Sequence, residues 1–234
     1  MPEPSAALSP FPAPPLPFPP GPSRDRPLAG LTLLLVEDSR FAAEGLRLVA
    51  QRSGARLRRA ETLGQARRHL RVYRPDAVIV DLGLPDGRGE DLISDLARSG
   101  GPPVLGLSGD DTGLTRARRA GAAGFLAKPV DRMAAAVAAV LALFPDRVWL
   151  ARTLADAALP QSDPLALDDD LRQAARWLGA DGAVQAGHVA GFVQGLGRAC
   201  GDPELEQAAA PHRIGDLART LTDRLRQSRA AMAG

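Results

Sequence analysis

Five residues carry most of the chemistry this chain can offer, and each follows a short apolar run. Glu37 and Asp38 follow Leu31–Val36, Asp81 follows Ala77–Val80, Ser108 follows Val104–Leu107, and Lys128 comes shortly after Ala122–Leu126. Carboxylates gathered and buried without a counter-charge are costly, so such a cluster calls for a cation. Oxygen ligands from few carboxylates, with room left for water, suit Mg²⁺. A carboxylate held beside Mg²⁺ can attack phosphorus and form an acyl phosphate. The metal and a lysine offset charge on the equatorial oxygens during transfer, and a serine hydroxyl can donate a hydrogen bond to the phosphoryl group. Gly109, next to Ser108, leaves space for the incoming phosphorus. Lys128 is the chain's single lysine among 29 basic residues, which singles it out.

This chemistry needs the five residues on one edge of the fold. The apolar runs read as β-strands, with Arg56 to Ala60 as a weaker fifth strand. Helical stretches separate them. Ala42, Leu46, Val49 and Ala50 recur at i, i+4, i+7 and i+8, and residues 62–73, 88–99, 112–120 and 131–143 read as further helices. Short apolar strands alternating with helices predict β-α-β units and a parallel sheet covered on both faces. Right-handed crossovers make this a flavodoxin-like, doubly wound α/β fold with a five-stranded parallel sheet. In such sheets ligands bind outside the carboxyl ends of the strands, where the five residues fall.

Four fragments then occur in a telling order and spacing: Leu35-Val36-Glu37-Asp38-Ser39, Val80-Asp81-Leu82-Gly83-Leu84-Pro85-Asp86-Gly87-Arg88-Gly89, Leu107-Ser108-Gly109 and Gly124-Phe125-Leu126-Ala127-Lys128-Pro129. Together they make residues 31–145 resemble the receiver domain of two-component system response regulators. The resemblance implies that Asp81 accepts a phosphoryl group from a histidine kinase or histidine phosphotransfer protein. It implies that Glu37 and Asp38 are the acidic pair that holds Mg²⁺, with Asp38 the more direct ligand. Gly83 matches the position whose main-chain carbonyl binds the metal. Ser108 and Phe125 match the hydroxyl and aromatic switch positions, and Lys128 matches the lysine of the site. Two departures stand out. Phe125 has no hydroxyl to hydrogen-bond when it turns inward, and Gly83 presents no side chain over the site, which bears on the lifetime of the acyl phosphate.

Around this unit the chain divides into a Pro-rich, disordered tail over 1–27, a receiver domain over 28–146, a linker over 147–164 and an all-α region over 165–234. Leu167, Leu171, Ala174, Ala175 and Leu178 form one helical stripe; Val189, Phe192, Val193, Leu196 and Cys200 form a second; Ile214, Leu217, Ala218, Leu221 and Leu225 form a third. Three such helices make a small bundle with little core of its own, expected to pack on the receiver or on a second copy as a homodimer. Its expected role is output, through a downstream protein partner. Residues 151–234 hold 9 basic against 11 acidic residues and show no helix-turn-helix pattern, which argues against DNA. A DNA-binding transcriptional regulator is therefore the weaker reading, as is a purely structural dimer module. A further alternative is a hybrid phosphotransferase that relays phosphate through His188. That residue lies on an amphipathic helix, as in histidine phosphotransfer domains, but lacks their following lysine and has a glycine spacing off by one. The plainer reading of His188 is a histidine at the edge of the apolar stripe.

Other features have bland readings. Asp86, Glu90, Asp91, Asp110 and Asp111 suit solvated helix starts. Arg56, Arg58, Arg59, Arg67, Arg68 and Arg71 suit a solvated face, and Cys200 a small core residue. His69 and His212 have no supporting context. The glycines around 195–201 follow a helix rather than a strand, so they are no nucleotide loop. A lone cysteine excludes an internal disulfide and fits a reducing cytoplasm. The longest uncharged apolar run, Met133 to Phe144, is shorter than the roughly 20 residues that cross a bilayer, and no secretory signal is expected. The chain is expected to act as a signalling phosphoacceptor rather than a metabolic enzyme, with phosphotransfer and slow self-dephosphorylation as its only chemistry.

Overall fold

The computed structural model describes residues 21–153, 163–179, 186–209 and 214–232. Most of the expected Pro-rich tail, and residues 154–162 of the expected linker, lie outside these. Five strands, β1 (Thr32–Val36), β2 (Arg56–Ala60), β3 (Ala77–Asp81), β6 (Val104–Ser108) and β7 (Gly124–Ala127), pair in parallel in the order β2-β1-β3-β6-β7. A two-stranded hairpin, β4 (Gly83–Leu84) and β5 (Gly87–Arg88), interrupts the series after β3. This is the doubly wound, flavodoxin-like order, with a reversal of winding between β1 and β3. Every residue of β3 and of β6 is buried, as central strands covered on both faces must be. Strand β2 is an edge strand that alternates, sending Arg56 and Arg58 to solvent, which is why its apolar signal is weak.

Helices α1 (Arg40–Ser53) and α5 (Met133–Leu141) cover one face of the sheet, and α2 (Leu63–Val72), α3 (Gly89–Arg98) and α4 (Gly113–Ala120) cover the other. Leu46, Val49, Val137 and Val140 meet Leu33, Leu35 and Ile79 on the first face. Leu63, Leu92, Ile93 and Ala117 meet Leu34, Val78 and Val80 on the second. The start of α1 is set by Ser39, whose Oγ accepts from the Ala42 amide at 2.9 Å. Its end is set by Gly54, which adopts φ 88°, a left-handed conformation that suits glycine. A 3₁₀ segment, Pro145–Thr153, follows α5 and buries Leu150 in the first core.

The C-terminal region comprises α6 (Pro164–Gly179), α7 (Ala186–Cys200), α8 (Pro203–Ala208) and α9 (Ile214–Met232). The three expected stripes become α6, α7 and α9, and the short α8 is additional. Asp202 caps α8, accepting from the Glu204 and Leu205 amides. Leu171, Val189, Val193, Leu196, Leu205, Leu217 and Leu221 form the core of this bundle, and Phe41 of α1 joins it. The bundle therefore packs on the receiver unit rather than standing apart. Cys200, expected in that core, is instead exposed at the last residue of α7. The stripe ends one turn before it because the chain turns away at Gly201.

One buried carboxylate ties the two units together. Asp170 of α6, 1% exposed, accepts from Ser39 Oγ at 2.8 Å and from the Arg40 and Phe41 amides, each at 2.9 Å. Amides in the first turn of a helix have no partner within it, so Asp170 completes α1 from another part of the chain. Asp170→Ala leaves these buried donors unsatisfied and should cost about 1–3 kcal/mol. Faster amide hydrogen exchange at Arg40 and Phe41, with slower-exchanging strands β3 and β6 unchanged, is the expected signature; unchanged exchange at Arg40 and Phe41 refutes it.

Candidate functional site

At the carboxyl edge of the sheet, Asp81 is the last residue of β3 and Ser108 the last of β6. Glu37 and Asp38 follow β1, and Lys128 follows β7. Parallel pairing with aligned register, Val36 opposite Val80 and Asp81 opposite Leu107, makes the strands end level. Glu37, Asp38 and Asp81 each place a carboxylate oxygen within 4.8 Å of the others. Lys128 Nζ lies 2.9 Å from Asp81 Oδ2 and 2.7 Å from Glu37 Oε2. The Gly83 amide donates to Asp81 Oδ1 at 3.2 Å.

Close packing beneath Asp81 depends on glycine. A Cβ on Gly89, the first residue of α3, would overlap the Asp81 carbonyl oxygen. Ser108 Oγ accepts from the Asp110 amide at 3.1 Å, which leaves the hydroxyl proton free to donate elsewhere. Phe125 is half-buried against the core formed with Ala117. Its ring and Ser108 converge on Gly113, where an added Cβ would lie 2.7 Å from Ser108 Cβ and 3.1 Å from Phe125 Cζ.

The electrostatics are those of a carboxylate excess. Burial pushes the Glu37 carboxyl up to about 8, and Asp81 and Asp38 add to the rise while Lys128 opposes it. Burial likewise raises Asp81 above the ordinary carboxylate range, against the pull of Lys128. Burial works against the Lys128 ammonium, yet Asp81 and Glu37 together hold it above an ordinary lysine. Glu37 Oε2 is buried with Lys128 Nζ at 2.7 Å as its partner, and Asp38 Oδ2 is buried and receives no aligned hydrogen bond. An oxygen short of donors, among three buried carboxylates that share one lysine, fits a hard divalent cation. Glu37, Asp38 and Asp81 are the residues that would hold it.

Several residues with bland sequence readings belong to this edge. Arg59 donates to the Glu37 carbonyl at 3.0 Å and to the Asp38 carbonyl at 2.7 Å, so it braces the acidic loop instead of facing solvent. Glu90 is 6% exposed and pairs with Arg116 at 2.6 Å, so it is no solvated helix start. Asp86 accepts from the Leu63 and Gly64 amides and completes α2 rather than α3. Asp110 does cap the approach to α4, accepting from the Thr112 amide at 2.8 Å. The largest departure is His188. Its Nε2 stands 3.1 Å from Asp38 Oδ2, so this histidine faces the acidic site and not a free edge. Arg198, also on α7, donates to the Gly109 carbonyl at 2.6 Å.

Part of the chain is similar to known proteins. Residues 33–139 match the family model described as the response regulator receiver domain. This segment belongs to that family: the chain carries a receiver domain of the two-component response regulators. Over 99 residues it is 37% identical to the KDP operon transcriptional regulatory protein KdpE of Escherichia coli strain K12, covering 42% of this chain and 44% of that protein. It is 32% identical over 107 residues to an uncharacterized response regulatory protein of Vibrio cholerae, covering 43% and 44%. The chain thus spans less than half the length of these curated relatives. A solved response regulator structure from Chloroflexus aurantiacus is 32% identical, with a TM-score of 0.46, covering 48% of this chain and 96% of that one. No helix among the described residues is long and apolar enough to cross a membrane.

The raised carboxyls give a signed pH dependence. From about 4.5, the ordinary value for Glu37, to about 8, the folded state binds more protons than the unfolded chain. Stability therefore falls as pH rises through that window and levels off above it. Carboxyls held low by arginine, such as Glu90 and Asp95, have given their full contribution before the window opens. Lys128 is protonated in both states throughout, so its contribution stays constant. Thermal melts without divalent cations should show Tm decreasing across this range, and saturating Mg²⁺, which binds the ionised carboxylates, should flatten the slope. A pH-independent Tm, or a slope indifferent to Mg²⁺, contradicts the charge assignment.

Proposed function

We propose that this protein is a phosphorylation-controlled signalling switch in which Asp81 accepts a phosphoryl group from a histidine kinase or histidine phosphotransfer protein. The observation that carries the reading is the meeting of Asp81 with Glu37, Asp38 and Lys128 at one sheet edge of a receiver-family segment. Glu37, Asp38, Asp81 and the Gly83 carbonyl are the groups that would hold a magnesium ion, which when bound would supply positive charge beside the phosphoryl group. Asp81 uses a carboxylate oxygen as nucleophile, held in place by the Gly83 amide on Oδ1. Lys128, paired with Asp81 before the reaction, stays beside the developing negative charge. Ser108 donates its free hydroxyl proton to the phosphoryl group, which draws its loop inward and changes the space open to Phe125 beside Gly113.

The altered surface then changes contacts with the C-terminal helices or a downstream protein partner, in a cytoplasmic setting. The role is signalling, with phosphotransfer and slow hydrolysis the only catalysis. KdpE is described as a transcriptional regulator, but the match to it covers only 99 residues, 42% of this chain. Here the helices that follow are acidic on balance and rest on the receiver through Asp170, which supports protein contact as the output over DNA.

Incubating the full chain with acetyl phosphate and Mg²⁺ should add at least one phosphoryl group by intact mass. The gain should vanish in Asp81→Asn and on chelation, and slow by about 10²-fold or more in Lys128→Ala. No gain in the wild type, or an equal gain in Asp81→Asn, overturns the assignment.

A further inference from the structure

The C-terminal bundle does not merely rest on the receiver; it places a ring nitrogen of His188 at the acidic site. His188 Nε2 is buried without an aligned hydrogen bond and stands 3.1 Å from Asp38 Oδ2. The ring is fixed from behind by two aromatic side chains. Trp177 of α6 meets it edge-on with centroids 4.9 Å apart, and Phe192, one turn further along α7, packs against both. Only 16% of the His188 side chain is exposed. A ring clamped in this way keeps one orientation, as a reacting group must.

The interface around His188 is hollow. A cavity of about 1050 Å³ lies between α7 and the strand ends, lined by Asp38, Asp81, Ser108 and Lys128 on one side and by His188 on the other. Gly187, Gly191 and Gly195, spaced every fourth residue on α7, line the same cavity, and a Cβ added at any of them would meet nothing within 4 Å. A helix that only plugged the site would fill this space with side chains. This one places three glycines beside the imidazole, with Phe192, Gln194 and Arg198 also lining the cavity, and leaves room for a phosphoryl group and its water. Two contacts that do not involve His188 hold the helices in place: Asp170 on the start of α1 and Arg198 on the Gly109 carbonyl.

We propose that His188 exchanges a phosphoryl group with Asp81 within the same chain, so that the C-terminal bundle is a phosphotransfer module docked on its own receiver. This rests on Asp81 being a phosphoacceptor. In the step, the Nε2 lone pair of His188, with the ring proton on Nδ1, attacks phosphorus. The bond from phosphorus to the Asp81 oxygen breaks, and its electron pair returns to the carboxylate, which Lys128 again neutralises. The ring, protonated on Nδ1, carries the new N–P bond and releases the Nδ1 proton to water as it returns to neutrality. No oxidant or further reactant enters. The reverse step returns the group to Asp81, and an external histidine or aspartate protein can be served from either residue.

The two acceptors differ in chemical stability: an acyl phosphate is destroyed by alkali and hydroxylamine, and a phosphoimidazole by acid. The full chain is loaded with acetyl phosphate and Mg²⁺, quenched in alkali, and digested with trypsin. A phosphoryl group is expected on the peptide spanning residues 177–198, lost on acid treatment and absent in His188→Gln and in Asp81→Asn. A parallel neutral quench with hydroxylamine reports the acyl phosphate on Asp81. If that acyl phosphate forms while residues 177–198 never carry an alkali-stable group, the relay is wrong and the phosphoacceptor reading stands. A group on residues 177–198 that persists in Asp81→Asn overturns the exchange, because it would have come directly from the donor. Absence of both products fails the phosphoacceptor reading itself.

Discussion

Three buried carboxylates share one ammonium at the end of this sheet, and that imbalance organises the molecule. Lys128 lies between Glu37 and Asp81 and cannot also satisfy Asp38. The uncompensated charge makes the site receptive to a hard cation, and it makes Asp38 a natural neighbour for an imidazole from elsewhere in the chain. The surrounding structure keeps the charges from escaping to solvent. Arg59 grips the main chain of Glu37 and Asp38 from the edge strand, and the absence of a Cβ at Gly89 lets the first turn of α3 close beneath Asp81. Burial raises the cost of each charge and also the strength with which a ligand can repay it.

The C-terminal helices extend this logic. Phe41 leaves the first turn of α1 to enter the bundle core, and Asp170 leaves the bundle to complete the same turn of α1. Apolar and polar contacts thus interlock over one short stretch, directly beside the acidic loop. A change in charge or hydrogen bonding at Asp38 is felt at Ser39 and Arg40 without any long pathway. Occupation of the Asp81 site and the seating of α6 and α7 are therefore physically adjacent events. An external histidine-bearing helix that approached Asp81 would meet α7 first.

Much of the receiver unit was legible because its signals are local. Fully buried central strands must be continuous apolar runs, and chemistry at a parallel sheet edge must follow such runs directly. The edge strand β2 was faint since solvent accepts Arg56 and Arg58 there. The bland readings of Arg59 and Glu90 failed because a charged residue type does not reveal whether its partner is water, a carbonyl after the neighbouring strand or an arginine on another helix. Asp170 left a trace that was passed over. It lies three residues after Leu167 and four before Ala174, on the apolar face of its helix, where a carboxylate has to find donors. His188 sat beside an apolar stripe with glycines around it, a pattern compatible with an ordinary edge.

Chain order alone therefore settled the α/β winding, the strand-end positions of Glu37, Asp38, Asp81, Ser108 and Lys128, and the amphipathic character of the last helices. These follow from periodicity and from adjacency along the backbone, which are one-dimensional properties. Tertiary structure decided where the helical bundle rests, that Asp170 finishes α1, and that His188 meets Asp38. Those contacts join residues more than a hundred positions apart, and no periodicity encodes them. They exist because the bundle, whose core takes in Phe41 of α1, closes over the edge of the sheet that also carries unbalanced charge.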